Sequence, residues 1–305
     1  MVDTIIEKID LLISGKFSQL GRELNKQLIG AEILPVFLGR SELDLSKKSE
    51  IDSVLRKYEF KTMINCAAWT DVDKAEANSP MVRKINTEAP GLLAKNCKDM
   101  GAKFVQISTD YVFSGTSQVP YLESDPVDPI SEYGKSKAEG EKNAEVYGKS
   151  ATTIIRTSWL YSKWNKNFVK SIIGKLLTSN KDLSVVDDQT GQPTFAGDLA
   201  KQILQFESIG LQPGIFHFTN RDSCSRFEFA VEIARLVNIG EARIKATKSE
   251  FFGSKNLRPN YSVLDSSRLD NLGLEEIPDW KTSLSKNISE IYKQVELELQ
   301  SNENN

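Results

Sequence analysis

The sequence predicts an α/β chain: a doubly wound, mostly parallel sheet of the Rossmann kind, with a smaller α/β lobe closing over its edge. Three observations predict it. Short, β-branched apolar runs alternate with amphipathic helical stretches from residue 9 to about residue 161, the pattern of repeated βαβ units. The first run, IDLLISG, ends in a glycine turn that opens directly into a helix, as a nucleotide-binding unit begins. Gly15, Arg40, Ala68, Thr109 and Trp159 all fall at predicted carboxyl ends of strands, where such sheets bind ligands. On this pattern residues 1–162 form a dinucleotide-binding domain. Residues 163–305 form mainly a substrate lobe, with some segments returning to the sheet.

In chain order, residues 9–15 read as a buried strand, and KFSQLGRELNKQLIG then places Leu20, Leu24 and Leu28 on one helical face. The turn between them is Gly15-x-x-Ser18-x-x-Gly21, with serine where the glycine-rich pattern has its middle glycine. Gly15 makes the tight turn and Gly21 permits close helix–strand packing. Ser18 offers its backbone N–H and hydroxyl to a pyrophosphate at the helix N-terminus. A second strand over 33–38 is followed by Gly39-Arg40. A carboxylate there would accept from an adenosine 2′-OH, whereas Arg40 suits a 2′-phosphate and favours NADP(H); the alternative is a solvated turn arginine. Asp44 and Leu45 fall where the chain passes the adenine edge. A helix over 49–58 leads to the strand in TMINCAAWTDVDKAE, whose Ala67 and Ala68 leave room for a cofactor against the backbone. The next helix, about 80–100, carries Asn86, either tying neighbouring strand ends or standing as an ordinary polar position.

Residues 104–137 run from an apolar strand through ISTDYVFSG and a loop rich in proline and aspartate into a helix carrying Tyr133 and Lys137. Four residues apart, these share a helical face, with roughly 6 Å between Cβ atoms. There the ammonium can lower the pKa of the phenol, and Thr109 at the strand end can join them. An acid, its tuner and a carbonyl-orienting hydroxyl are the parts needed to reduce a ketone. The spacing Y-x-x-x-K alone is weak, so its order and company carry the reading.

A strand over 152–161 follows, rich in β-branched residues, then a helix over 167–178. A turn at Gly191 and Pro193 leads into a helix expected to be capped by Thr194, with Asp198 in its first turn. GIFHFTN is a strand that holds His217. SRFEFAVEIARLVN is an amphipathic helix with Phe227, Ala230, Ile233, Ala234 and Val237 on its apolar face. A polar segment places Arg258-Pro259 in a loop, and the charged tail after Asn287 is expected to be a helix that frays.

Composition narrows the function classes. A net charge of −3 with 27% charged residues implies no basic surface for nucleic acid. No apolar run approaches the ~20 residues of a membrane span, and the N-terminus does not read as a signal peptide. Cys66, Cys97 and Cys224 have no paired spacing and fit reduced thiols in a cytoplasmic protein. With one histidine, His217, in a strand-like run, a histidine triad or zinc site is disfavoured.

GKFSQLGREL, LDLS, NCAAWTDVDKAE, ISTDYVFSG, YGKSKAEGE, RTSWLY, DDQTGQPT, DLA and RPNYSVLD occur in this order from about Leu11 to Tyr292. Together they resemble the dTDP-4-dehydrorhamnose reductases, a branch of the extended short-chain dehydrogenases. The resemblance implies catalytic roles for Thr109, Tyr133 and Lys137. It places the cofactor on the loop Gly15 to Gly21, through Phe17, Ser18, Gln19 and Leu20, on Ala67 and Ala68, and on Tyr133 and Lys137, with Lys137 holding the nicotinamide ribose. It assigns Trp159 to the sugar, with Thr70, Asp110 and Tyr111 beside it and Arg258 near the diphosphate. The implied reaction is reduction of the 4-keto group of dTDP-4-dehydro-L-rhamnose to dTDP-L-rhamnose with NADPH, NADH being admitted too. Some relatives bind a divalent cation at a dimer contact and Glu23 matches one such position. One carboxylate is not a site, so no required Mg²⁺ is expected, and a homodimer is compatible with the sequence.

Two other readings stand beside this one. The regulatory β subunit of methionine adenosyltransferase resembles the same reductases without being an enzyme, but it lacks RTSWLY, which this chain keeps. An epimerase, or a reductase of another 6-deoxy-4-ketohexose, would use the same scaffold.

Overall fold

The computed structural model describes residues 6–252 and 257–303. Six parallel strands form the central sheet: β1 (Leu11–Ser14), β2 (Pro35–Leu38), β3 (Thr62–Asn65), β4 (Lys103–Thr109), β5 (Thr152–Thr157) and β6 (Gly214–His217). Their spatial order is β2-β1-β3-β4-β5-β6, so the chain reverses direction across the sheet between β1 and β3. A crevice opens at that switch point, beyond the carboxyl ends of the strands.

Side-chain alternation explains why the sheet is covered on both faces. Leu12, Met63 and Phe104 pack on one face with Leu93, Ala94 and Cys97. Leu11, Ile13, Ile64 and Val105 pack on the other with Leu20, Leu24, Ile203 and Phe206. These last four come from helices α1 (Gln19–Leu28) and Ala196–Ser208, so the second of these helices returns to the sheet, as does β6 beside β5. A separate core forms the smaller lobe, where Phe168–Thr178, Arg226–Leu236 and the helix Trp280–Glu303 meet.

Several elements depart from the sequence reading. The helix expected over 80–100 is interrupted by a π turn at Lys84–Glu88. The strand expected over 152–161 breaks after Thr157, because Trp159 adopts a positive φ of 44°. Pairing resumes at Leu160–Tyr161 against Thr194–Phe195. Thr194 therefore does not cap the next helix. The Phe195 N–H at that helix start instead donates to Asn220 Oδ1 at 2.7 Å, and Asp198 accepts from Asn220 Nδ2 at 2.8 Å. On Arg226–Leu236 the buried face is Phe229, Ala230, Ile233 and Ala234, whereas Phe227 and Val237 only border it. The C-terminal helix continues to Glu303 because Ile288, Ile291 and Val295 lock it into the lobe core. The residues before Ile6, part of the 254–273 segment and the last two residues of the tail lie outside the described residues.

His217 is a packed strand residue. It is fully buried, its Nδ1 lies 3.1 Å from the Asp265 carbonyl, and burial pushes its pKa down to about 3, so the ring is neutral. Cys97 and Cys224 are buried, Cys66 is half-buried, and all three are free thiols. Among the described residues no helix is long and apolar enough to cross a membrane.

Candidate active site

The crevice floor is built from a buried polar chain across three strand ends. Ser14 Oγ donates to Asn65 Oδ1 at 2.5 Å, and Asn65 Nδ2 donates to Gln106 Oε1 at 2.8 Å. Gln106 Nε2 donates to the Ile107 carbonyl at 2.7 Å, and Lys137 Nζ donates to the same carbonyl at 2.6 Å. The turn after β1 is thereby linked to the lysine on helix Glu132–Gly148.

Local sequence sets that helix in place. Ser131 caps it by accepting from the Gly134 N–H at 3.1 Å. Gly134 is needed because a Cβ there would come within 2.2 Å of the Tyr111 carbonyl oxygen. Beneath the site Arg156 of β5 pairs with Glu141 at 2.7 Å, both buried, which fastens the helix to the sheet. Asn86, on the π turn, accepts from the Trp69 N–H at 2.8 Å and donates to Ser136 Oγ at 3.1 Å. It ties the chain after β3 to the helix that carries Tyr133 and Lys137, and does not join neighbouring strand ends.

A cavity of about 370 Å³ lies above this floor, and it gathers Thr109, Tyr133 and Lys137. Ser18, Gln19, Leu20, Ala67 and Ala68 line its cofactor side; Thr70, Asp110, Tyr111 and Trp159 line it elsewhere. Thr109 Oγ1 donates to Asp110 Oδ1 at 2.9 Å and accepts from the Tyr111 N–H at 3.2 Å. The Tyr111 ring meets the Tyr133 ring edge-on with centroids 5.7 Å apart.

Burial governs the electrostatics. It raises the pKa of the Tyr133 phenol above its ordinary value, opposed by the hydrogen bond with Thr109. It lowers Lys137 to about 8, opposed by Glu141. The sequence reading has Lys137 lowering the phenol. In the structure the ammonium donates to the Ile107 carbonyl and desolvation dominates the phenol. Burial likewise pushes the Asp110 carboxyl up to about 6, although Ser262, Thr109 and Arg226 favour its ionised form. Three buried oxygens facing this region have no hydrogen-bond partner among the described residues: Ser108 Oγ, Asp110 Oδ2 and Thr157 Oγ1.

The residues fit a dinucleotide. Gly15 has φ 79°, and a Cβ there would lie 2.7 Å from the Ala67 nitrogen, so only glycine allows the turn to lie against β3. Gly21 is as tightly required, with a Cβ 2.2 Å from the Gly15 carbonyl oxygen. Ser18 differs from expectation. Its N–H donates to the Gly15 carbonyl at 2.8 Å and its Oγ caps the Gly21 N–H at 3.0 Å, so the serine shapes the turn. The N–H groups of Gln19 and Leu20, in the first helical turn, are left for an anion.

Arg40 is 76% exposed and lies 3.6 Å from Asp44 Oδ2, while Asp44 Oδ1 accepts from the Ser46 N–H at 3.0 Å. Leu45 is buried in the core under β2, and Phe17 is exposed beneath the Arg22 guanidinium. Glu42 was not singled out in the sequence, yet its Oε2 accepts from the Gly39 N–H at 2.9 Å. The strand end thus presents a carboxylate as well as Arg40. Glu23 is buried, accepts from Trp164 Nε1 at 2.9 Å and has its pKa raised by burial. Among the described residues no group of three or more histidines, cysteines or carboxylates is placed to hold a metal.

A second cavity of about 1060 Å³ adjoins the first and shares Trp159, Leu160 and Arg226 with it. Arg258 lines this outer cavity, ion-paired with Asp73. Arg226 escaped the sequence reading because only the packing of the lobe brings it to Trp159. Its one local signal is the capping box of Ser225 and Glu228, which starts its helix.

The chain matches the family model described as RmlD substrate binding domain over residues 9–293. It is 36% identical over 279 residues to a dTDP-4-dehydrorhamnose reductase of Streptomyces griseus, covering 90% of this chain and 91% of that one. It is 34% identical over 275 residues to a dTDP-4-keto-6-deoxy-D-glucose reductase of Streptomyces niveus, covering 90% and 95%. A crystal structure of dTDP-4-dehydrorhamnose reductase from Bacillus anthracis in complex with NADP superposes with a TM-score of 0.87. It is 34% identical, covering 93% of this chain and 99% of that one. The chain therefore belongs to the dTDP-4-dehydrorhamnose reductase family of the extended short-chain dehydrogenases.

Proposed function

We propose that this protein is an NADPH-dependent reductase of the 4-keto group of dTDP-4-dehydro-L-rhamnose, giving dTDP-L-rhamnose. The observation that carries the reading is the convergence of Thr109, Tyr133, Lys137 and Trp159 on one cavity at the switch point of the sheet. Gln19, Leu20, Ala67, Ala68 and Lys137 would hold the cofactor, which when bound supplies the hydride.

The chain's own groups do the rest. Reduction needs a proton donor that is still protonated when charge develops on the ketone oxygen. Burial keeps the Tyr133 hydroxyl in that form throughout the neutral range. Thr109, already beside that hydroxyl, orients the ketone oxygen toward it. Lys137 can release the Ile107 carbonyl for a ribose hydroxyl and the phenolate, restoring the proton through its ammonium. Trp159 presents its indole to the apolar face of the sugar.

The Streptomyces niveus relative, named for a different 6-deoxy-4-keto sugar, favours one second reading: the same chemistry on another dTDP-linked 4-ketohexose. A panel of dTDP- and UDP-linked 4-keto sugars, assayed by loss of reduced-nicotinamide absorbance, separates the two. The highest kcat/KM is expected for dTDP-4-dehydro-L-rhamnose. A higher value for another sugar would reassign the substrate, and no consumption with any of them would remove the reductase reading.

A further inference from the structure

Arg226 stands where the two cavities meet, on the face of Trp159. Its guanidinium carbon lies 3.5 Å from the indole ring centre and 5.0 Å from the centre of the Phe168 ring. The indole cannot readily yield. A Cβ at Gly191 would lie 2.5 Å from its ring atoms, and the Trp159 backbone is already held at positive φ. Burial desolvates the guanidinium, with Tyr111 and Asp110 attracting it and Arg258 repelling it. Its neighbour Asp110 is a carboxyl that burial pushes up to about 6, so it is still mostly ionised at neutral pH but at a desolvation cost. A desolvated cation resting on an aromatic face, beside a second arginine, is a ready partner for a stronger anion. A phosphate that accepts two parallel N–H bonds binds a guanidinium more tightly than an indole does.

We propose that Arg226 is a specificity-determining residue that covers the Trp159 indole in the free enzyme and moves to the diphosphate of an incoming nucleotide sugar, uncovering the indole for the sugar ring. This rests on the reading of the protein as a nucleotide-sugar ketoreductase. A ligand without the diphosphate meets a covered platform and offers the guanidinium nothing stronger than its present neighbours, so discrimination arises at binding and not in the chemical step.

The test uses the full chain loaded with NADP⁺ and compares calorimetric binding of dTDP and thymidine to wild type, Arg226→Met and Arg226→Lys. The preference of wild type for dTDP is expected to fall at least ~10-fold in Arg226→Met, the order of one lost charged hydrogen bond, and to recover in part in Arg226→Lys. With the keto sugar as substrate, KM should rise by a similar factor while kcat stays within ~3-fold, a split that a merely structural role would not give. An unchanged dTDP-to-thymidine ratio in Arg226→Met, with wild type turning over normally, overturns the proposal. Absence of wild-type turnover on every nucleotide 4-keto sugar sinks the parent reading instead. Should Arg226→Met not fold, tryptophan fluorescence of wild type decides. A change with dTDP and not thymidine, lost in Trp159→Phe, is expected, and an equal response to both ligands overturns the proposal.

Discussion

Two layers of polar residues lie at the carboxyl ends of the strands, and they differ in one respect. In the inner layer Ser14, Asn65, Gln106 and Lys137 form a continuous chain of hydrogen bonds between 2.5 and 2.8 Å. In the outer layer Ser108, Asp110 and Thr157 each keep a buried oxygen without a partner among the described residues. A satisfied buried network holds geometry; unsatisfied groups above it cost stability until something meets them. We propose that the inner layer is scaffold and the outer layer a binding surface, although both are equally polar in sequence.

Substitutions can break or sharpen that contrast. The largest effect belongs to the proposed acid that faces the outer layer: Tyr133→Phe should lower turnover by roughly 10²-fold or more, as for loss of a general acid, while NADPH binding measured by fluorescence is unchanged. Near-normal turnover would place the proton donor elsewhere.

Next comes Asp110→Asn. The Asp110 carboxyl binds its proton more tightly folded, at about 6, than at its ordinary 3.8. Its relative contribution is therefore full below pH 3.8 and is lost as pH rises through 6. The amide of the variant does not titrate, so the variant should be more stable than wild type at pH 7 by about 3 kcal/mol, with the difference closing below about pH 4. Urea denaturation at both pH values checks this, and a variant less stable at pH 7 would mean that the carboxylate is well paired.

The inner layer should respond oppositely. Gln106→Leu removes the acceptor for Asn65 and should destabilise by about 1–3 kcal/mol; a neutral result in the same denaturation series would show that the chain is dispensable. Smallest is Arg40→Ala, expected to weaken NADPH a few-fold more than NADH, the order of one exposed charge contact. Equal effects on the two cofactors would assign the strand end to Glu42.

Much of this was legible in the sequence, for physical reasons. Leu11, Leu12 and Ile13 announce a strand buried on both faces, and the turn from Gly15 to Gly21 announces backbone contacts that no side chain would permit. Tyr133 and Lys137 were legible as a helical pair with Thr109 upstream. Arg226 was not, because nothing near it in the chain records that its helix docks on Trp159. The π turn at Asn86 was also hidden, since a 3.6-residue pattern tolerates one extra residue in a turn. The helical face that Lys137 shares with Tyr133 was legible, whereas its hydrogen bond to the Ile107 carbonyl was not, since side-chain direction is a tertiary property.

The most direct measurement of the central claim is a single turnover. Enzyme premixed with NADPH is mixed with less than one equivalent of dTDP-4-dehydro-L-rhamnose, and nicotinamide absorbance is followed together with the product spectrum. The account predicts that absorbance falls in step with appearance of the 4-hydroxy sugar, one for one, in wild type. Binding of both ligands without loss of absorbance would contradict it.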